Sequence, residues 1–241
     1  MLTKEELLEL TYPPNINDIS LALYREFSIE QLMGKKFIYY LMNGEQLKVE
    51  FREWGIYHML SIQHIDNSID SNHFFEEIGN GLDISTFKSS DVLKTRLKGE
   101  KERITLFACI YFFLRNGRFF WVPNGKVRNT QNVKMDYLLY KEIGTKGVSV
   151  GIRYEDQAYI PLTVLIARPS NKEKHLQDGQ KRNISKLIIY DENEKIVEYH
   201  TYNNTKELHA LRIHTSLKTP KCFRTDTYSE KLKRTKLKNR R

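Results

Sequence analysis

Two cysteines in 241 residues, Cys109 and Cys222, are too few and too far apart for a disulfide framework or a cysteine-based zinc site. Cysteine usage this sparse is what a reducing cytoplasm favours, and a cytoplasmic location is the expectation. No apolar run approaches the roughly 20 residues that span a bilayer, so no membrane is expected among the partners. The N-terminus, MLTKEELLEL, is acidic and amphipathic, unlike a signal peptide. There is no P-loop, glycine-rich dinucleotide turn, HExxH pair or nucleophile elbow. Internal repeats are lacking too. The histidines are poorly spaced for a helical metal pair. His58 and His64 are six apart, His209 and His214 five, and neither gives the i, i+4 geometry. No metal and no cofactor are therefore expected.

Charge is plentiful but unevenly placed. The chain carries 39 basic and 30 acidic side chains, a net +9. Residues 218–241 hold ten basic and two acidic residues, or +8. That leaves 29 against 28 in residues 1–217, so the body is almost neutral and the basicity belongs to the tail. Nucleic-acid binding by the body must rest on local patches. The run KLKRTKLKNRR at 231–241 offers Lys231, Lys233, Arg234, Lys236, Lys238, Arg240 and Arg241 as phosphate contacts. Such a tail is too polar and self-repelling to pack by itself.

Helical and extended patterns occupy different halves. Residues 1–10 and a segment capped at Asn15 or Asn17 read as helices, ended by Pro13-Pro14 and Gly34. Runs 37–42 and 46–51 flank Asn43-Gly44, a hairpin signal for a type I′ turn. The segment 51–65, FREWGIYHMLSIQHI, reads as a helix apolar nearly all round, with Trp54, His58, Ile62 and Ile65 on one face. Short helices follow, capped at Asn72 and Ser90 and stopped at Gly79 and Gly99, then a long one over 100–115. Beyond Gly117 six segments rich in Val, Ile and Tyr read as strands, with hairpin loops at 155–157 and 191–194. The polar connection 169–183 reads as unpacked. Helices first and strands afterwards predict an α+β fold with a mainly antiparallel sheet of about four to six strands. The expected layout is a helical extension (1–35), a central domain (36–202) and a flexible basic tail (203–241).

An imidazole on an apolar helix needs a hydrogen-bond partner or a task, and His58 admits both readings. RNA can be cut without metal, because its 2′-hydroxyl is a built-in nucleophile. A base, an acid and donors to the phosphorane suffice, and histidine and arginine suit those roles. The run Asp191, Glu192, Asn193, Glu194, Lys195 faintly matches metal-dependent DNA nucleases, but it reads as a hairpin turn.

The order of features resembles the phage-associated branch of the barnase–EndoU–colicin–RelE-like (BECR) nuclease superfamily over residues 36–190. The marks are the hairpin, Phe51 followed by His58-Met59-Leu60-Ser61-Ile62, then His73-Phe74-Phe75, and the Ser/Lys-rich segment 89–98. Asp136-Tyr137 and Tyr159-Ile160-Pro161-Leu162-Thr163 follow. Met59 and Ser61 depart from the family's Leu and Gly. The resemblance implies a metal-independent endoribonuclease, often a toxin or phage-conflict element with an antitoxin or immunity partner. It implies His58 as acid or base and Thr163 as a hydroxyl near the scissile phosphate. From the residues themselves come Arg153, Arg96 and Lys98 as phosphate donors, His64 as a reserve imidazole and Tyr137 as a further candidate. The alternatives are a degenerate module that binds nucleic acid or a phage protein without cutting, and a structural protein in which His58 ties the core together.

Overall fold

The computed structural model describes residues 1–127, 134–177 and 179–202, with the backbone of Ala210–Arg212. The expected tail contacts, Lys231, Lys233, Arg234, Lys236, Lys238, Arg240 and Arg241, lie outside the described residues.

The fold is α+β, with helices leading and a large mixed sheet. Helix α1 (Lys4–Glu9) begins with a capping box between Thr3 and Glu6. Asn15 caps a 3₁₀ turn, and Ser20 caps α2 (Leu21–Phe27), which runs on as a π-helical turn to Met33. Leu7, Leu21, Tyr24, Phe27 and Leu32 are buried in the main core with the sheet, so residues 1–35 pack as part of that body.

Strands β1 (Lys36–Leu41) and β2 (Gln46–Val49) form the expected hairpin. Its turn is not type I′. Only Gly44 has positive φ, and Leu41 and Glu45 close a three-residue loop. The true two-residue turn with both φ positive is at Asp156-Gln157, where no glycine announces it.

The segment 51–65 is not one helix. Helix α3 (Glu53–Met59) stops, Ser61 takes a left-handed conformation (φ 59°), and α4 (Ile62–Ile65) starts in a new direction. The proposed shared face is thereby split. Ile62 and Ile65 turn into the core, whereas Trp54 and His58 remain half-buried. Helix α5 (Phe74–Gly79) is capped by no Asn72 side chain; Glu53 accepts the Phe75 N–H instead, at 2.6 Å. Helix α6 (Asp91–Phe107), capped by Ser90, runs straight through Gly99, and the break falls at Cys109 before α7 (Ile110–Asn116). One solvent-facing glycine costs only about 1 kcal/mol against alanine, too little to end a helix anchored by Leu97 and Ile104.

The remaining strands are β3 (Arg118–Trp121), β4 (Tyr137–Ile143), β5 (Lys146–Glu155), β6 (Ala158–Ala167), β7 (Gln180–Arg182), β8 (Ile184–Tyr190), β9 (Ile196–Tyr202) and a short β10 (Ala210–Arg212). Together they make one sheet in the order β10-β9-β8-β1-β2-β6-β5-β4-β3-β7, larger than the four to six strands expected. The short β10, paired on β9 within the expected tail, accounts for one extra strand, and two facts explain the others. The hairpin β1–β2 joins the later strands, and the polar connection 169–183 contributes β7, whose edge pairing uses backbone groups that hydropathy does not reveal. The same connection buries Leu176, so it is not unpacked.

Every pairing is antiparallel except β2 with β6, which meet at the single pair Val49 and Tyr159. Beyond that point the two strands part. Helix α3 occupies the gap, and Gly55 lies against the Pro161 carbonyl so closely that a Cβ there would stand 2.6 Å from its oxygen. One sheet face carries the main core under the helices. Over β3–β6 the other face carries a smaller cluster that includes Met135, Leu138, Tyr140 and Leu165. Among the described residues no helix is long and apolar enough to cross a membrane.

Candidate nucleic-acid site at the β6 edge

Where β2 leaves β6, the freed edge of β6 is covered by groups from two helices. Gly55 of α3 approaches Pro161, and Arg103 of α6 donates from Nε to the Val164 carbonyl at 3.1 Å. Arg103 Nη1 also donates to Ser61 Oγ at 3.1 Å and to Glu100 at 2.6 Å. Thus the residue that breaks the helix is held by the arginine that caps the strand. A left-handed backbone is where glycine is the ordinary occupant, and the Arg103 bond compensates serine there.

His58 lies one turn beyond Trp54, with ring centroids 6.2 Å apart, and 5.2 Å from Tyr57. Because α3 crosses the edge, its His58 side is only half-buried. Burial lowers the imidazole's pKa below 6.5. The neighbouring charges of His64 and Arg153 lower it further, and the Gln63 side chain works in the opposite direction. Gln63 Oε1 is buried and meets no donor at hydrogen-bond geometry. At neutral pH His58 is therefore an uncharged acceptor.

Arg153 on β5 stands opposite Ile160 of β6, and so shares the sheet face on which Trp54 packs against Ala158, Ile160 and Leu162. Its guanidinium is paired with Glu155, both about 40% exposed (39% and 36%). An exposed pair of this kind contributes little and yields readily to a phosphate. Thr163 stands opposite Gly151, two residues from Arg153 along β5 and on the same face. His64 is exposed on α4.

The other candidates divide. Arg96 of α6 is spent on the Ile65 carbonyl at 3.3 Å, closing the end of α4. Arg96, Glu100 and Arg103 share one side of α6, and Lys98 points to the opposite side, away from the site. Tyr137 pairs with Ile152, so it faces the main core. It packs on Phe119 and Tyr159 and donates its hydroxyl to Glu45. Tyr137 is a packing residue here. Asp191 is occupied in its own turn, accepting the Asn193 and Lys195 N–H groups, and Glu194 pairs with Lys36. Among the described residues no group of three or more His, Cys, Asp or Glu is arranged to hold a metal ion.

Sequence reasoning missed Gln63, Glu100 and Arg103 here, none of which carries a motif. It also missed a second polar cluster between α7 and β9. There Arg115 forks onto Glu198 (2.9 and 2.8 Å), Tyr111 donates to the same carboxylate (2.8 Å), and His200 Nε2 lies 3.0 Å from it. The partners are 83 residues apart in sequence for Arg115 and Glu198, so no spacing rule finds them. No protein-family model, no curated protein and no solved structure matches the chain.

Proposed function

We propose that the chain is a metal-independent endoribonuclease of the toxin or phage-conflict type, akin to the BECR nucleases, acting at the β6 edge. The observation that supports the reading is the half-buried imidazole of His58, close enough to His64 and Arg153 for their charges to act on it. A neutral imidazole at pH 7 suits the base that takes the 2′-hydroxyl proton, more than the acid. His64, exposed on α4 and felt electrostatically at His58, is the imidazole assigned to the leaving 5′-oxygen. Arg153, once exchanged from Glu155, binds the phosphate in a fork and offsets phosphorane charge. Thr163 offers a hydroxyl on the same face.

The test is RNA cleavage in excess EDTA, with analysis of the ends. Cleavage that leaves a cyclic phosphate and disappears in His58→Ala supports the proposal. Cleavage abolished by EDTA, or unchanged in His58→Ala, overturns it.

The Arg153–Glu155 pair favours a second reading, a module that holds nucleic acid or a phage protein without cutting. Among the described residues no carboxylate is seen to orient the His58 ring. That reading expects salt-sensitive RNA binding by the full chain with no turnover.

A further inference from the structure

The smaller cluster on the outer side of the sheet belongs to the β3–β6 half. On β2, β1, β8 and β9 the outward positions follow from the register, because side chains alternate between faces. Phe37, Tyr39, Leu187 and Ile189 point into the main core. Between them Ile38 stands beside Lys48 and Ile188, and Ile188 stands beside Tyr199. The next outward row holds Gln46, Tyr40, Lys186 and Thr201. On the other side of Ile188 lies a row with Lys36, Tyr190 and Ile196. An antiparallel face turned to water ordinarily carries polar residues. This one presents Ile38, Tyr40, Ile188, Tyr190 and Tyr199, and none of the five joins a hydrophobic cluster of the described residues.

Charge is graded across this face. Glu50, Glu192 and Glu194 gather at the Tyr190 end, where Lys36 meets Glu194 at 2.9 Å. Lys48 pairs with Glu50 at 2.6 Å in a contact open to water, which contributes little and exchanges readily. In the row at the Tyr40 end no outward residue is Asp or Glu, and Lys186 lies over the Tyr40 ring at 4.0 Å. Strand β9 ends at this end, and β10 pairs back along it. The basic residues 218–241, net +8, are thus tethered near the border of the face.

Flat rings and positive charge together select the guest. The chain's own tail would repel Lys186. An acidic protein would engage the lysines and leave the rings unused. A duplex offers phosphates but keeps its bases stacked inside. A single strand offers phosphates and open bases at once. Outward rows are about 7 Å apart and neighbouring strands about 5 Å, which sets Tyr190 and Tyr199 within reach of successive bases of an extended strand. We infer that the outer face of β1, β8 and β9 binds single-stranded nucleic acid, with bases on Tyr40, Tyr190 and Tyr199 and phosphates at Lys186 and Lys48. The inference shares no residue with the β6-edge site and stands whether or not that site cuts RNA.

The experiment titrates the full chain into a fluorescein-labelled oligodeoxynucleotide of about twelve residues, within the usual span of such sites. That probe has no 2′-hydroxyl, so the proposed cleavage chemistry cannot consume it. Anisotropy reads its binding over a series of salt concentrations, with the matching duplex and polyglutamate as competitors. The single strand should bind about tenfold or more tighter than the duplex. Replacing both Tyr190→Leu and Tyr199→Leu keeps apolar cover but removes two rings, and should weaken binding about tenfold or more. Lys186→Gln should weaken it a few-fold and lessen the salt slope by about one, and it decides the matter if the double variant does not fold. His58→Ala should bind the probe as the parent chain does. Equal affinity for duplex and single strand, preference for polyglutamate, or unaltered affinity in the folded double variant or in Lys186→Gln would each overturn the inference. Probe binding that follows these expectations without any RNA cleavage would overturn the ribonuclease reading and support this one.

Discussion

His58 and His200 occupy opposite situations in one molecule. His58 sits on a helix that crosses a sheet edge, half-buried, with an arginine and a second histidine nearby and, among the described residues, no carboxylate to brace it. His200 sits on a strand inside the sheet, sealed on nearly every side, and is fixed by Glu198 within an Arg115–Tyr111 network. The first has reach but little preorganisation. The second has preorganisation but opens only on a small cavity. The contrast separates what a macromolecular substrate can touch from what the fold holds still. It also shows that electrostatic order and accessibility need not coincide.

Breaking the comparison at its open end should have the largest effect. His58→Ala is expected to lower EDTA-resistant RNA cleavage by about 10²–10⁴-fold, the usual share of a general acid or base, with little change in the melting temperature. Equal loss of stability and activity would make His58 a core residue. At the sealed end, Arg115→Met leaves Glu198 buried without its main counter-charge. Unfolding in urea should show a loss of about 3–5 kcal/mol, with RNA cleavage by the remaining folded protein unaltered.

Gly55→Ala tests the edge that carries the open site. The new methyl meets the Pro161 carbonyl, so a loss of about 1–3 kcal/mol is expected from overpacking. Because α3 must shift, cleavage should fall as well, which the Arg115 variant should not show per folded molecule.

The two regions also titrate in different windows. The folded pKa of His58 is depressed below 6.5. Its neutral form is thus favoured by folding, and that contribution is complete above pH 6.5 and lost as pH falls through the folded value. His58→Gln should flatten the urea midpoint across that window, and the acid limb of cleavage should centre below pH 6.5. Glu198 is depressed below 4.5. Its contribution is complete above that value and lost only on further acidification, so Glu198→Gln should alter the profile below pH 4.5. The smallest effect belongs to Ser61→Gly. Relief of the left-handed backbone and loss of the Arg103 bond oppose one another, and the melting free energy should change by no more than about 1 kcal/mol.

Much of the fold was legible because local chemistry repeats. Val, Ile and Tyr content in 184–190 and in 158–168 marked strands that the structure contains almost to the residue, and Asn43-Gly44 marked a hairpin even though its turn type differs. The site was less legible. Nothing in the residues 51–65 announces that Ser61 reverses the helix, because a single left-handed serine depends on Arg103, 42 residues away. Gly55 was the one overlooked local signal: a glycine inside a helical pattern often means another backbone is close.

The chain by itself determined most of the strands, the leading helices and the near-neutral charge of residues 1–217, since those follow from periodicity and composition. Tertiary structure alone decided that His58 stays only half-buried within reach of the Arg153 charge, that Tyr137 faces the core, and that Arg115, Glu198 and His200 meet. The physical reason is range. Periodicity acts over a few residues along the backbone, whereas pairing register and ion pairs are set by distances in space between segments the sequence keeps far apart.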